Sequence, residues 1–245
     1  MAAIVWRLET VESVDSTNAW LAAEARGGAP EGRAVLTYHQ TAGRGRMDRV
    51  WEERPGSALL VSLLLRPTHL QGLTWCTAAV SLAARDALTR LAGVRPDLKW
   101  PNDLLVGDRK LGGVLAQLVA AEPPAVVVGL GVNLTAHPEG VGATDVRACA
   151  GVTLEPVAVC DLLFEGVERR RAALDDARGR EALRDEYASA LATLGQEVRI
   201  ALADREVRGR ALDVDAEGRL RVESGGEVLA FAAGDVVHLR AAGDR

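Results

Sequence analysis

The 245-residue sequence predicts an α+β protein with a small all-β domain at its C-terminal end. Three observations lead to this prediction. The length suits one large domain and one small one, because domains average about 150 residues. Strand-like and helix-like segments alternate up to about residue 194. Residues 195–245 instead form short alternating runs separated by turn clusters, which is typical of a small β-barrel or sandwich.

The first elements follow from periodicity and from the residues that end them. Ser16 stands just before a helical pattern and is predicted to be its N-cap, and two glycines follow the pattern. Residues 57–65 are almost entirely apolar, which is typical of a buried strand. Apolar residues recur at helical spacing from Trp75 to Ala83. In chain order we predict a strand over 4–12, a helix over 17–26, strands over 33–39 and 57–65, and a helix over 73–91.

The remaining elements complete the large domain and build the small one. A turn at Gly107-Asp108 interrupts the apolar pattern of residues 104–119. We place the domain boundary near Gly195, which gives domains of residues 1–194 and 195–245. In chain order we predict strands over 98–100, 104–119 (broken by turns) and 126–134, helices over 156–177 and 181–194, and strands over 197–202, 207–214, 219–223, 228–232 and 236–240.

Composition excludes several classes of protein. The net charge of −5 argues against bulk nucleic-acid binding, which usually needs a basic surface. No apolar run approaches the roughly 18 residues of a membrane span, and the N-terminus does not resemble a signal peptide. Cys76, Cys149 and Cys160 form no C-x-x-C pair and are predicted to be reduced thiols of a cytoplasmic protein. The four scattered histidines favour no metal site.

One segment combines flexible backbone with positive charge. Residues 41–51 (TAGRGRMDRVW) interleave glycines with Arg44, Arg46 and Arg49. Glycine allows close backbone approach to a ligand, and the arginine fork fits carboxylate and phosphate oxygens. The segment is therefore either a clamp for an anion or an ordinary solvated basic turn. It is not a Walker A motif, because no G-x-x-x-x-G-K-[ST] occurs in the chain.

A second segment presents lysines beside turns and glycines. Lys99 begins a K-W-P-N-D turn, and Lys110 stands just before Gly112-Gly113. A lysine in such a place can reach into a pocket and neutralise developing negative charge. Taken singly, each lysine is more often an ordinary surface residue.

Two further segments have both a structural and a functional interpretation. The G-x-G within residues 126–134 is not a dinucleotide fingerprint, because Leu134 stands where the third glycine belongs and no helix pattern follows. Its glycines are predicted to thin a strand where a ligand or another backbone comes close. Ser16-Thr17-Asn18 cap a helix and can also bind polar ligand groups there.

Taken together, these segments resemble the biotin–protein ligases. That family carries an S-T-N turn, a G-R-G-R-x-x-R-x-W loop, K-W-P-N-D-L followed by K-L-x-G, and a G-x-G-[IV]-N strand. All five occur here in the same order, and the resemblance extends to the C-terminal region. It implies an α+β fold with a mixed or antiparallel sheet of the class II synthetase type, followed by an SH3-like β-barrel.

The resemblance also implies a reaction and its residues. Biotin would be activated by ATP, with Mg²⁺ bound to the nucleotide, to give biotinyl-5′-adenylate. Biotin would then pass to a lysine of a biotin carboxyl carrier protein or domain, such as that of acetyl-CoA carboxylase. Arg46 and Lys110 are the implied catalytic residues. The implied binding residues are Ser16, Thr17, Asn18, Gln40, Gly43, Arg44, Gly45, Arg46, Arg49, Trp51, Lys110, Gly113 and Asn133, with Trp51 and Asn133 on the adenine side.

Two departures from the family pattern carry expectations of their own. Asp48 stands where many members have glycine, which could alter closure of the loop. No helix-turn-helix precedes the ligase motifs, so we expect a monofunctional, cytoplasmic enzyme that binds neither nucleic acid nor membrane, as a monomer or weak homodimer.

Residues 43–51 are expected to become ordered only with ligand, because glycines are frequent and apolar anchors are scarce.

Two other functions remain open at this stage. A lipoate–protein ligase or octanoyltransferase would share the α/β core, but should lack the paired arginine and K-W-P-N-D motifs. A non-catalytic sensor would bind biotin or nucleotide without releasing pyrophosphate.

Overall fold

The computed structural model describes residues 3–47, 49–140, 142–202 and 205–239. Its larger part is built from seven strands and five α-helices, and its smaller part from five strands. The strands of the larger part are β1 (Arg7–Val11), β2 (Arg33–Thr37), β3 (Ala58–Leu65), β4 (Asp97–Lys99), β5 (Asp103–Val106), β6 (Arg109–Val119) and β7 (Ala125–Asn133). Its helices are α1 (Thr17–Arg26), α2 (Leu70–Ala92), α3 (Val146–Ala150), α4 (Pro156–Arg171) and α5 (Ala177–Ala190), and a short 3₁₀ turn spans Ala172–Leu174.

The seven strands form one mixed sheet in the order β1-β2-β3-β7-β6-β5-β4. Only β1 and β2 are parallel, whereas the other neighbours are antiparallel. Two separate apolar clusters cover the sheet. Helix α1 contributes Leu21 to the smaller cluster, and α2, α4 and α5 contribute residues to the larger one. Because β3 is buried along its whole length, the sheet is covered on both faces at its centre.

The second sheet is antiparallel and lies at the C-terminal end. It consists of β8 (Glu197–Ala201), β9 (Glu206–Val214), β10 (Leu220–Ser224), β11 (Glu227–Phe231) and β12 (Asp235–His238), in the order β11-β10-β9-β8-β12. The α+β class and the small all-β C-terminal part are therefore confirmed. Arg240, the predicted end of the last strand, lies outside the described residues.

The two parts of the chain are joined by polar and apolar contacts. The indole nitrogens of Trp75 and Trp100 donate to the backbone oxygens of Ala216 and Gly218, at 3.0 and 3.1 Å. Buried residues of the small sheet continue the larger apolar cluster. Since β8–β12 pair only among themselves, we propose Gly195 as the boundary between two domains that share a continuous core.

Several predicted boundaries were wrong for local reasons. The predicted helix over 156–177 ends at Arg171, and the next begins at Ala177 because the Asp176 carboxylate caps it by accepting from the amide of Gly179. The five-residue helix α3 was not predicted. Gly107, in the left-handed region at φ 59°, makes the predicted break between β5 and β6. No described helix has both the length and the apolar character needed to cross a membrane.

Candidate active site

A cleft at the centre of the large sheet collects the segments singled out in the sequence. It encloses about 960 Å³ of space, a figure that includes its open mouth. The start of α1, the arginine segment, the turn between β4 and β5, the strands β6 and β7, and the first residues of β12 line it. Both parts of the chain therefore contribute to one cavity.

The start of α1 supplies a polar wall. Ser16 occupies the N-cap position with an extended backbone, as predicted, but its hydroxyl makes no capping hydrogen bond. The side-chain oxygen of Gln40 takes that role by accepting from the amide and hydroxyl of Thr17, at 2.9 and 3.1 Å. Asn18 donates to the backbone oxygen of Leu115 and accepts from Ser62, at 3.0 and 2.6 Å. These bonds fix buried amide and hydroxyl groups along the cleft.

A tight turn carries the three arginines. We call residues 43–47 and 49–51 the arginine turn; Asp48, and with it the expectation about loop closure, lies outside the described residues. The amide of Gly45 donates to the oxygen of Arg49 at 2.6 Å, and that of Trp51 donates to Gly43 at 3.0 Å. A Cβ at Gly43 would lie 2.7 Å from the oxygen of Trp51, so glycine is needed for this approach.

Arg46 is the most enclosed of the three arginines. Its Nη1 donates to Asn102 Oδ1 and to the backbone oxygen of Gly234, both at 3.3 Å. Burial lowers the pKa of Arg46, whereas the nearby carboxylates of Asp103 and Asp235 raise it. A guanidinium with so high an ordinary pKa nevertheless stays charged, so Arg46 keeps a partly desolvated positive charge in the cleft.

Lys110 enters the cleft from the start of β6. Its Nζ lies 2.6 Å from Oδ1 of Asp103, and both side chains are partly exposed. The backbone of Lys110 is fixed from the other side, since it donates to Gly142 at 2.9 Å and accepts from Thr144 at 2.8 Å. The ammonium group of Lys110 therefore lies in the cavity, and the backbone of Lys110 is fixed by two hydrogen bonds.

The two glycines of β7 make room for side chains. A Cβ at Gly131 would lie 2.7 Å from the ring of Trp51, and one at Gly129 would lie 2.3 Å from Oδ1 of Asn18. The sequence predicted that a ligand or another backbone comes close here, whereas the structure places side chains of this chain against both glycines. The indole nitrogen of Trp51 is buried and has no hydrogen-bond partner among the described residues.

Most of the predicted site residues meet in the cleft. Two do not line it: Gly43, the first residue of the arginine turn, and Asn133, which is buried at the end of β7. The amide of Asn133 donates to the backbone oxygen of Thr144 at 2.9 Å, in the segment that fixes Lys110. Contact of Asn133 with an adenine ring stays a prediction. The residues that line the cleft as predicted are Ser16, Thr17, Asn18, Gln40, Arg44, Gly45, Arg46, Arg49, Trp51, Lys110 and Gly113.

Sequence reasoning missed several residues of the cleft. Asp103 and Asn102 belong to the K-W-P-N-D turn, and both line the cavity. Only the lysine of this turn was singled out from the sequence. Asp235 could not be found, because nothing in a β-strand pattern reveals which strand of a separate sheet returns to the site. The described residues contain no group of three or more His, Cys, Asp or Glu side chains able to hold a metal.

Comparisons with known proteins agree with this geometry. Residues 10–133 match the biotin/lipoate A/B protein ligase family, and residues 193–239 match the biotin protein ligase C-terminal domain. The chain is 36% identical over 245 residues to the biotin–[acetyl-CoA-carboxylase] ligase of Mycobacterium tuberculosis, covering 96% of this chain and 90% of that protein. The Paracoccus denitrificans ligase of the same name is 35% identical, with 89% and 95% covered.

A solved structure shows the same fold. It is the biotin protein ligase from Aquifex aeolicus in complex with biotin and ATP, with a TM-score of 0.80 at 24% identity, and the comparison covers 96% of this chain and 99% of that one. At this identity the likeness concerns the fold. It includes both the mixed sheet and the C-terminal sheet.

Proposed function

This chain belongs to the biotin/lipoate A/B protein ligase family, and we propose that it catalyses the ATP-dependent attachment of biotin to a lysine of a biotin carboxyl carrier protein or domain, as a biotin–[acetyl-CoA-carboxylase] ligase. The observation that carries this proposal is the single cleft in which the polar wall of α1 faces the arginine turn and Lys110. Biotin and ATP are its substrates. Mg²⁺ would be held by the nucleotide phosphates and would offset part of their negative charge.

In the first step, a biotin carboxylate oxygen attacks the α-phosphorus of ATP. A P–O bond forms to that oxygen, the bond to the β-phosphate breaks, and pyrophosphate leaves with the bonding electrons. Two anions must approach each other, so fixed positive charge lowers the barrier. Arg46 and Lys110 supply that charge, since the first is partly desolvated and the second is held at the cleft by its backbone.

In the second step, the acceptor lysine amine attacks the carbonyl carbon of the mixed anhydride. An amide bond forms, the bond from carbon to the phosphate oxygen breaks, and AMP leaves while the amine loses a proton. Lys110 and Arg46 remain beside the phosphate and stabilise its charge as it departs. Arg44 and Arg49 add positive potential at the mouth of the cleft.

The polar wall would hold the biotin end of the adenylate. Thr17, Gln40 and Asn18 offer hydroxyl and amide groups, which match the donors and acceptors of a ureido ring. Ser16 presents a hydroxyl that the helix does not use. Trp51 packs over Gly131 and would face the adenine side, and Gly113 would let the backbone approach the ligand.

Lipoate transfer is the second candidate function, because the matched family also covers lipoate ligases. The experiment that separates the two measures pyrophosphate release from ATP with biotin or with lipoate as the only acid. We expect release with biotin and little with lipoate. Release with lipoate alone would overturn the assignment of the substrate, and no release with either acid would favour a non-catalytic sensor.

A further inference from the structure

The C-terminal sheet contacts the arginine turn at two points. Both terminal nitrogens of Arg49 donate to the carboxylate of Asp235, one of them at 3.4 Å. The neighbouring backbone oxygen, that of Gly234, accepts from Arg46 at 3.3 Å. Asp235 is the first residue of β12, and Gly234 immediately precedes it. One short stretch of the small sheet therefore meets two of the three arginines of the cleft.

The charges at this contact favour an ion pair. The hydrogen bond from Arg49 is the largest factor that lowers the pKa of Asp235, and the charges of Lys99 and Arg46 lower it further. Asp235 is thus a carboxylate at neutral pH. Among the described residues that line the cleft, the carboxylates are Asp103, which holds Lys110, and Asp235, which holds Arg49.

Apolar packing holds the arginine turn only at its last residue, Trp51, whose ring lies against Gly131 of β7. Met47 is 59% exposed and Val50 is 69% exposed, so neither anchors the turn in the core. Backbone bonds such as that from Gly45 to Arg49 close the turn on itself without tying it to the cleft. Apart from the packing of Trp51, the ties from the turn to the rest of the molecule are largely polar, and those made by Gly234 and Asp235 come from a different sheet.

We propose that Asp235 is a positioning residue, which acts through Arg49 to restrain the arginine turn at the mouth of the cleft before substrates bind, whereas the sequence predicted that these residues become ordered only with ligand. The carbonyl of Gly234 supports Arg46 in the same way. This inference deepens the proposed function, because it assigns the C-terminal sheet a part in preparing the cations for the anionic substrates. An arginine already held in place loses less conformational entropy when the anion arrives.

Trypsin gives a direct test, because the turn itself contains three cleavage sites. The full chain without biotin or ATP is digested briefly, and cleavage after Arg44 and Arg46 is followed by mass spectrometry, relative to cleavage after Arg26 at the end of α1. We expect Asp235→Asn to raise this ratio about two- to fivefold, the range that an exposed ion pair supports. Asp235→Glu, which keeps the carboxylate, should restore much of the protection.

Asp213→Asn is the matched control. Asp213 pairs with Arg221 at 2.6 Å on the same sheet and is similarly exposed, but it does not line the cleft. It should leave the ratio at the wild-type value. A wild-type ratio in Asp235→Asn, or an equal rise in Asp213→Asn, would overturn the proposal.

A double-mutant cycle keeps the test independent of folding. Arg49→Gln should raise cleavage after Arg46 as Asp235→Asn does, and adding Asp235→Asn to it should then have little further effect, because paired residues are not additive. Fully additive effects would contradict the pairing. Since the digestion uses no biotin or ATP, its outcome does not depend on the proposed ligase activity, and failure of one is distinguishable from failure of the other.

Discussion

At the scale of single residues, the site is a set of cations held by carboxylates and carbonyls. Lys110 lies against Asp103, Arg49 against Asp235, and Arg46 against the carbonyl of Gly234. Such partners keep the cations in the cavity without substrate. Binding of an anionic nucleotide must then share or replace these contacts, so the site is organised in advance for negative charge.

Removing either central cation should slow adenylation strongly. For Lys110→Ala or Arg46→Ala we expect a loss of about 10²-fold or more in biotin-dependent exchange of pyrophosphate into ATP, because a fixed charge at the reacting phosphate is lost. Arg109→Ala, which removes the exposed neighbour of Lys110, is the control and should retain near wild-type exchange. Wild-type exchange in Lys110→Ala or Arg46→Ala would remove that residue from the mechanism.

Arg46→Gly should show a second effect. Without its guanidinium the turn loses its bonds to Asn102 and Gly234, and the reactive adenylate should escape. Escaped adenylate would label lysines of a bystander protein such as serum albumin, which streptavidin blotting detects. If labelling stays at the wild-type level while adenylate is still made, the arginine turn does not retain the intermediate.

The ion pair of Asp235 has a defined pH dependence. Because Arg49 holds the pKa of Asp235 below its ordinary 3.8, the pair contributes stability above that pH and loses it as the pH falls through the lowered value. Denaturant unfolding should therefore show Asp235→Asn less stable than wild type at pH 7, with the difference fading below pH 3.8. The same difference at pH 3 and pH 7 would contradict the assignment.

At the scale of elements, periodicity predicted most of the fold. The buried run of β3 and the helical spacing of α2 carry strong local signals, because one is apolar except for Ser62 and the other repeats every three to four residues. The short helix α3 carries no such repeat and was missed. The start of α5 was misplaced because its N-cap, Asp176, depends on one side chain.

The candidate site was predictable only where motifs lie close together in the sequence. The arginine segment and Lys110 stand out among the glycines around them. Asp235 does not, since its partner Arg49 is far away in the chain and the pairing arises only when the two sheets pack. Long-range pairing of this kind has no local sequence signal.

Two glycines of the cleft should respond differently to an added methyl group. Gly131→Ala places a Cβ 2.7 Å from the ring of Trp51, so we expect a loss of about 1–3 kcal/mol in the free energy of unfolding. Gly113→Ala meets nothing closer than 3.5 Å and should fold normally, yet impair adenylation if the backbone there approaches the ligand. Denaturant unfolding and pyrophosphate exchange separate the two effects. Equal stability losses would show that the packing at Gly131 is misjudged.

At the scale of the whole molecule, one cleft is shared by two sheets. The indoles of Trp75 and Trp100 bind the turn before β10, and β12 reaches the arginine turn. The small sheet is thus attached at two places around the site. A net charge of −5 leaves the arginine turn as a local positive patch at the mouth of the cleft, where two anionic substrates must meet.

The central claim is that this chain transfers biotin to a protein lysine at the expense of ATP. The most direct measurement incubates it with biotin, ATP, Mg²⁺ and an isolated biotin carboxyl carrier domain, and weighs that domain by intact mass spectrometry. We predict one added biotinyl group, dependent on ATP and absent when the acceptor lysine is replaced by arginine. An unchanged acceptor mass alongside a biotinylated control reaction with a known ligase would contradict the account.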